Sequence, residues 1–308
     1  MHAVVRSLWG VAVTLVWAAI AHGAPVTLRY VWQDGDVARV RTRIEGMGVV
    51  REAGVQQRMT MWADIVAREQ TDRVGPGGGA TLTSVWESAT FNINGEKATL
   101  APKVARLEKS VGRFGEVYWA RERGRDRAAR QGGGSFTIDT RQLAILDFLA
   151  EQVQYLQLPG HSVELHEKWR DMDRVEEADI RAYMSKVSEI VAVGEGAADG
   201  TCTIHSSLNA PLEIVLGREE LHFRGKVTGD ITHNFDFKRG RVNSAAGSLS
   251  LELNATWPGA PPPPAPLDTS GAPSDEAPFA RDDEGTTPFL LKMQFEIRVE
   301  RDYGEPRG

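Results

Sequence analysis

Residues 229–242 read GDITHNFDFKRGRV, and their reading decides between a reactive site and a folded strand. The stretch gathers Asp230, His233, Asn234, Asp236, Lys238, Arg239 and Arg241 around Phe235 and Phe237. Period two sorts them. Ile231, His233, Phe235 and Phe237 fall on one face, and Asp230, Thr232, Asn234 and Asp236 on the other, as in a half-buried strand. Lys238-Arg239-Gly240 then fits a three-residue hairpin loop with Gly240 left-handed. That register sets Phe237 opposite Arg241, His233 opposite Ala245, Ile231 opposite Gly247 and Gly229 opposite Leu249. A four-residue loop would move every partner to the wrong face. The polar residues are therefore predicted to be the wet side of a strand, and His233 a hydrogen-bonded core or rim histidine.

The same alternation extends outward in both directions. Upstream, VTLRYVW (26–32), VARVRTRIEG (37–46), RMTMWADIVARE (58–69) and ATLTSVWESATFNING (80–95) predict a four-stranded antiparallel meander, its first turn at Asp34-Gly35. Residues 102–135 are predicted to run from a short helix into a strand near Val117–Ala120 and then a basic loop. DTRQLAILDFLAEQVQYLQLPG (139–160) predicts a helix near 140–157. Asp139 or Thr140 caps it, Leu143, Leu146, Leu149, Val153 and Leu156 form its stripe, and Pro159-Gly160 stops it. That stripe needs a sheet face to cover. Downstream, strands are predicted in 178–196, 200–214, 221–237, 241–257 and 289–301; the last alternates Phe289, Leu291, Met293, Phe295, Ile297 and Val299 with polar residues. Residues 258–288 are rich in Pro, small and acidic residues and too poor in apolar ones to offset ordering entropy, so a disordered loop is predicted there. The fold class is α+β, predominantly antiparallel β. It comprises a signal peptide (1–23), an N-terminal β-meander half (24–135), a bridging helix (136–160) and a related β-rich C-terminal half (161–308), with long curved strands under a covering helix.

The N-terminus carries Arg6, an apolar run from Leu8 to Ala21, and Ala21-x-Gly23. About 14 apolar residues are too few to cross a ~30 Å hydrocarbon core, and they suit a secretory signal cleaved between Gly23 and Ala24. Cys202 is the single cysteine, so no internal disulfide forms, and no cysteine at the cleavage site accepts a lipid. The expectation is a soluble exported protein, periplasmic or extracellular, that is not a lipoprotein and meets the membrane only through its signal peptide during export. The net charge of −6 argues against a nucleic-acid partner.

Candidate chemistry is sparse. His161, His166 and Glu167 lack the His-Glu-x-x-His spacing of zinc hydrolases and predict a loop leading into a strand. DMDRVEE (171–177) lacks the sixth-position Gly and twelfth-position Glu of a calcium loop and predicts a solvated acidic turn. GPGGG (75–79) lacks the Lys-Ser/Thr of a phosphate loop and predicts a turn. Cys202 predicts a buried small hydrophobe, and no Gly-x-Ser-x-Gly elbow is present. RERGRDRAAR (121–130) predicts a solvated basic loop, with contact to anionic lipid or acidic glycan as the functional alternative. No catalytic, cofactor-binding or metal-binding residue is assigned.

LRYVWQDGD (28–36), MTMWADIVARE (59–69), LPGHSVELHEKW (158–169) and GDITHNFDFKRGRV (229–242) together resemble a family of uncharacterised exported bacterial proteins, a domain of unknown function. Its pattern is an L-x-Y-x-x-x-x-G strand, a mid-chain LP…V-x-x-G-D-x-W segment and an F-D-x-x-x-G hairpin. This chain has Leu165-His166-Glu167 where Gly-Asp is usual. The resemblance implies export and no established activity. The β-rich, helix-covered outline is also similar to periplasmic lipoprotein carriers, a likeness of fold alone.

The expected function is a non-enzymatic envelope protein that binds or scaffolds an unidentified ligand or another envelope protein, without a cofactor. The alternative is a carrier of a lipid or other hydrophobic ligand on an apolar sheet face lined by Trp62, Trp86, Phe235, Phe237 and Phe295. An enzyme is the third option, for which no nucleophile, base and orienter emerge. Intact-mass measurement of the exported protein is expected to place its first residue at Ala24; a chain retaining residues 1–23 would overturn the cleavage assignment.

Overall fold

The computed structural model describes residues 25–52, 55–100, 106–123, 133–134, 140–177, 180–194, 200–216, 221–256 and 289–304. In chain order the elements are β1 (Val26–Thr27), β2 (Val37–Glu52), β3 (Val55–Val74), β4 (Ala80–Ile93), β5 (Glu96–Leu100), β6 (Arg106–Val111), β7 (Val117–Arg123), β8 (Gly133–Gly134), α1 (Thr140–Gln154), β9 (Ser162–Val163), β10 (Lys168–Glu177), β11 (Ile180–Val193), β12 (Thr201–Leu216), β13 (Leu221–Asp236), β14 (Arg241–Thr256) and β15 (Leu290–Asp302). The described residues are mostly antiparallel β with one short helix, as the alternation predicts.

Thirteen strands form one open sheet. Its order is β10-β11-β12-β13-β14-β15-β2-β3-β4, after which β5 and β6 divide the far edge of β4 between them; β8 follows β5 and β7 follows β6. The N- and C-terminal strands meet at β15 and β2, where Ile297 faces Ile44 and Phe295 faces Gly46. Alternation is maintained along the longest strands. In β15, Met293, Phe295, Ile297 and Val299 are buried while Lys292, Gln294, Glu296 and Arg298 are exposed.

The sheet curls around the C-terminal end of α1. From β11 to β6 is eight strand-to-strand steps, or ~38 Å if flat at ~4.8 Å each. Yet Lys186 of β11 donates to the Gln152 carbonyl at 3.1 Å, and Lys109 of β6 lies 3.6 Å above the Tyr155 ring. Only a strongly curved sheet brings both flanks to one turn of helix. α1 lies across β14 and β15. A side chain added at Gly247 would come within 2.7 Å of Val153 Cγ2, so glycine there lets the helix seat against the sheet.

The opening hairpin keeps the predicted partners His233–Ala245, Ile231–Gly247 and Gly229–Leu249. Its loop differs. Phe237–Gly240 is a four-residue turn, and a bulge lets Phe235 pair with Val242 while Asn234 pairs with Ser244. The bulge absorbs the extra residue and restores the faces. Gly240 has φ +63°, and a side chain there would fall 2.5 Å from Val31 N.

Four further expectations are corrected. VTLRYVW does not pair with β2: only Val26–Thr27 is strand, and it pairs with Ser162–Val163. The backbone of the remaining segment is satisfied by two loops, with Tyr30 N donating to Arg113 O (2.7 Å) and Val31 N to Gly240 O (2.9 Å). Leu28 and Tyr30 still point inward, into a second core cluster with Leu156, Ile204 and Phe235. Residues 106–111 are strand rather than helix, because β4 and β7 pair with both their edges. The predicted helix ends at Gln154 rather than near 157, leaving Leu156 and Leu158 buried in an extended segment. DMDRVEE is not a turn but most of β10, paired along its length with β11. Asp139, the loop 258–288 and residues 124–130 of the basic segment lie outside the described residues, as does the expected signal peptide. Among the described residues no helix is long and apolar enough to cross a membrane.

His166, in the turn between β9 and β10, has φ +66°. Its N–H donates to Ile190 O at 2.9 Å, which holds the turn against β11. A β-branched side chain in this left-handed region costs ~1–2 kcal/mol. His166→Val is expected to destabilise the chain by about that amount in urea unfolding, and His166→Gly to cause no loss; equal behaviour of the two variants would show the turn to be unstrained.

Candidate functional site

The helix-closing turn is where the unused polar side chains of the fold collect. The last carbonyls of a helix lack intrahelical donors. Here the following residue and the sheet supply them. Tyr155 N donates to Glu151 O (3.1 Å), Lys186 Nζ to Gln152 O (3.1 Å) and His233 Nε2 to Val153 O (2.9 Å). Beyond the helix, Tyr30 Oη donates to Leu156 O (3.0 Å) and Trp169 Nε1 to Gln157 O (3.2 Å). A cation at this end also suits the negative pole of the helix. Because a carbonyl only accepts, His233 carries its proton on Nε2 and its Nδ1 is left without a partner. Burial and the Lys186 cation push its imidazole down to about 3, against the opposing Val153 bond, so it is neutral.

On one side of this turn lies a closed ionic cluster. Glu69 of β3 accepts from Arg301 of β15 (2.5 Å) and from the Tyr155 hydroxyl (2.7 Å). Lys109 of β6 stands 3.5 Å from the same carboxylate. All three charged side chains are 5% exposed or less. Burial raises the Glu69 carboxyl, but the Arg301 and Lys109 cations outweigh it and hold the group below the usual carboxylate range.

On the other side the sheet does not close. β10 and β7 each have one edge unpaired among the described strands. Both contribute to a cleft of about 230 Å³ whose lining includes Tyr118, Glu151, Tyr155, Asp171, Asp173 and Lys186. Burial raises the Asp171 carboxyl to about 6 despite the Lys186 cation, with Asp173 adding to the rise. Burial lowers the Lys186 amine to about 8 against Asp171 and Asp173. The pair is able to hold or release protons near neutrality, and Lys186 is committed to the Gln152 carbonyl. Among the described residues no three His, Cys, Asp or Glu side chains converge in a way that would hold a metal ion.

The five aromatic residues proposed as a ligand lining do not meet in one place. Phe295 is buried in the main core and Trp86 packs against it. Phe235 is buried in the second cluster, with Phe237 against its edge. Trp62 is 37% exposed on the opposite face of β3 from Met61 and Ala63. His161 and Glu167 pair at the surface (3.3 Å), with His166 exposed between β9 and β10. Cys202 is buried, and burial pushes its thiol up to about 12. Gly75–Gly79 is a turn, held by the Gly75 N bond to Gly79 O.

Sequence reasoning missed Glu69, Lys109, Lys186 and Arg301, although they carry a legible signal. Each sits in phase with apolar neighbours: Glu69 after Ile65 and Ala67, Lys109 before Val111, Lys186 after Ala182 and Met184, and Arg301 after Ile297 and Val299. A charge on the inward phase of a strand needs a buried partner.

Removing one member of a buried ionic cluster leaves the others uncompensated, so Glu69→Ala is expected to lower stability by ~3–5 kcal/mol at neutral pH. The Glu69 carboxyl is held lower in the folded chain than its ordinary 4.5. Its contribution is thus fully present above that value and lost as the pH falls through the lowered one. Urea unfolding as a function of pH is expected to show the gap between native and variant narrowing below pH 4.5; a constant gap would remove the charge from the account. Comparison of the chain with protein-family models, with curated proteins and with solved structures finds no significant match.

Proposed function

We propose that the protein is a non-enzymatic binding module of the bacterial cell envelope, exported by its N-terminal segment, and that its ligand is received in the seam cleft at the C-terminal end of α1. One observation carries this reading: the apolar face beneath α1 is occupied by the chain itself, while at the seam charged groups converge on an open cleft that Val117, Val175 and Met184 also line. Phe295 is 2% exposed, and Val153 leaves no room for a side chain on Gly247. Asp171, Asp173 and Glu151 reach the cleft with Lys186 behind them. Ligand sites of this kind present a few convergent polar groups on a rigid frame. The segment Arg6 to Gly23 supports export, and the single buried Cys202 suits a fold held by its core alone. We read the two halves as related units, because each supplies a run of hairpin-linked long strands, β2–β4 and β11–β14.

Native mass spectrometry of the chain purified from the envelope of its producing cell tests this. The expected result is a small polar adduct that Asp173→Ala abolishes without loss of the folded state. An acyl-chain adduct that Asp173→Ala retains would overturn the seam and favour the carrier, with α1 displaced from the sheet.

A further inference from the structure

A second cleft, of about 480 Å³, lies on the other side of Tyr118, between the Gly75–Gly79 turn and the turn that joins β6 to β7. We propose that it is a binding site for the acid group of a small anionic molecule, held between the guanidinium groups of Arg73 and Arg113. The site is distinct from the seam cleft, and the two share only the Tyr118 side of their walls with the neighbouring Gly115 and Glu116 turn.

The β6–β7 turn is built more firmly than a connection requires. Gly112 N donates to Glu116 O (2.7 Å) and Gly115 N to Gly112 O (3.2 Å). The Glu116 carboxylate accepts from Phe114 N (3.1 Å). From outside, Tyr30 N holds Arg113 O (2.7 Å) and Leu158 N holds Phe114 O (2.7 Å). The frame thus fixes the backbone on both sides of Arg113 while its side chain stays exposed. The side chain itself is steered: a side chain added at Gly78 would meet Arg113 Cβ at 3.5 Å, and the guanidinium lies 4.6 Å above the Phe114 ring. A charged group held in place before its partner arrives loses less entropy on binding.

The opposite wall is shaped by glycine. A side chain at Gly79 would approach Val111 O to 2.9 Å, so the two turns meet backbone to backbone. Gly78 has φ +78°. Gly77 has open space where a side chain would stand, which leaves the cleft mouth clear. Arg73 enters from the end of β3, and neither it nor Arg113 forms an ion pair with any described residue. Other exposed arginines of the sheet divide: Arg41 pairs with Asp64 and Arg224 with Glu213, while Arg58, Arg170 and Arg298 form no ion pair with a described residue. The cleft therefore holds two uncommitted guanidinium groups against one carboxylate, Glu116, which is already accepting from its own turn. In a chain of net charge −6, that local positive surplus selects oxyanions. Arginine recognises carboxylate and phosphate alike through paired N–H donors, and Thr81, Ser110 and Tyr118 stand nearby for hydroxyl groups on the rest of the molecule. The volume falls within the usual range for a small-molecule site.

The test is a low-salt NMR titration of the mature chain with three probes: inorganic phosphate, D-galacturonate and D-glucose. Phosphate, galacturonate or both are expected to shift the amides of Gly77, Gly79 and Arg113 saturably, and which of them does so identifies the acid. Arg113→Gln and Arg73→Gln are each expected to weaken that binding about tenfold, and added salt to weaken it further, with the melting temperature unchanged. The inference is overturned if neither acid moves these amides at about 50 mM, a concentration well above a millimolar Kd, if the double variant binds as the native chain does, or if glucose shifts them equally. The amides of Asp171 and Lys186 report on the seam separately, so failure here leaves the seam reading standing.

Discussion

The Glu69 carboxylate is the point on which the architecture closes. It accepts from Arg301 on β15 and Tyr155 beyond the helix, with Lys109 on β6 beside it. Four parts of the chain separated by up to 232 positions converge on two oxygen atoms. Apolar contact alone specifies such a meeting loosely, since a curved sheet and a helix slide over each other at small cost when only area is conserved. A buried carboxylate with three donors in fixed directions does not slide. The cluster is weak grounds for net stability, since its desolvation offsets much of its attraction. Its contribution is to fix the one curvature at which β6 and β11 both reach the last turn of α1.

The same logic explains where the polar residues sit along the strands. A helix that ends inside a sheet exposes carbonyls that water does not reach, and an unpaired buried carbonyl costs ~1–3 kcal/mol. The sheet answers with Lys186, His233 and Trp169, and the extended 28–32 segment with Tyr30, at the level where α1 stops. Further along β14 and β15 the inward positions are apolar: Leu251, Leu253 and Met293 are nearly fully buried. Thus the helix terminus sets the band of polarity across the concave face. The seam cleft lies where that band reaches the open edge.

Much of the fold is legible from period two. The long strands, the helix stripe and three of the four pairings in the opening hairpin follow from local alternation, which the sheet preserves because a one-residue slip exchanges its faces. What is not legible depends on distant partners. Residues 28–32 alternate as a strand does, and bury Leu28 and Tyr30 accordingly, yet their backbone bonds go to Arg113 and Gly240 rather than to β2. DMDRVEE is the exception, since its partner β11 follows after only two residues; it looks like an acidic turn because charges fall on both faces of the strand and leave no apolar alternation to read. The bulge at Asn243 has no local signature, since only the requirement that Val242 follow Phe235 inward makes it necessary. The candidate site was readable in part, as charges out of phase with their surroundings, but which of them meet is a property of the curl.

An open sheet of this width leaves free edges, among the described strands on β10, β7 and β8, and unprotected edges invite pairing with other chains. β10 guards its edge with charge on both faces. Lys168, Arg170 and Arg174 point outward, and Asp171 and Asp173 share the inward phase with Trp169 and Val175. Inward charge prevents a neighbouring strand from completing the sheet with an apolar face. It also keeps the seam from closing on itself, because an apolar seam would draw β7 and β10 together around α1. Edge protection and the seam cleft thus draw on the same residues: Asp171 and Asp173 of the edge strand also line the gap at the helix terminus, beside Val117, Val175 and Met184.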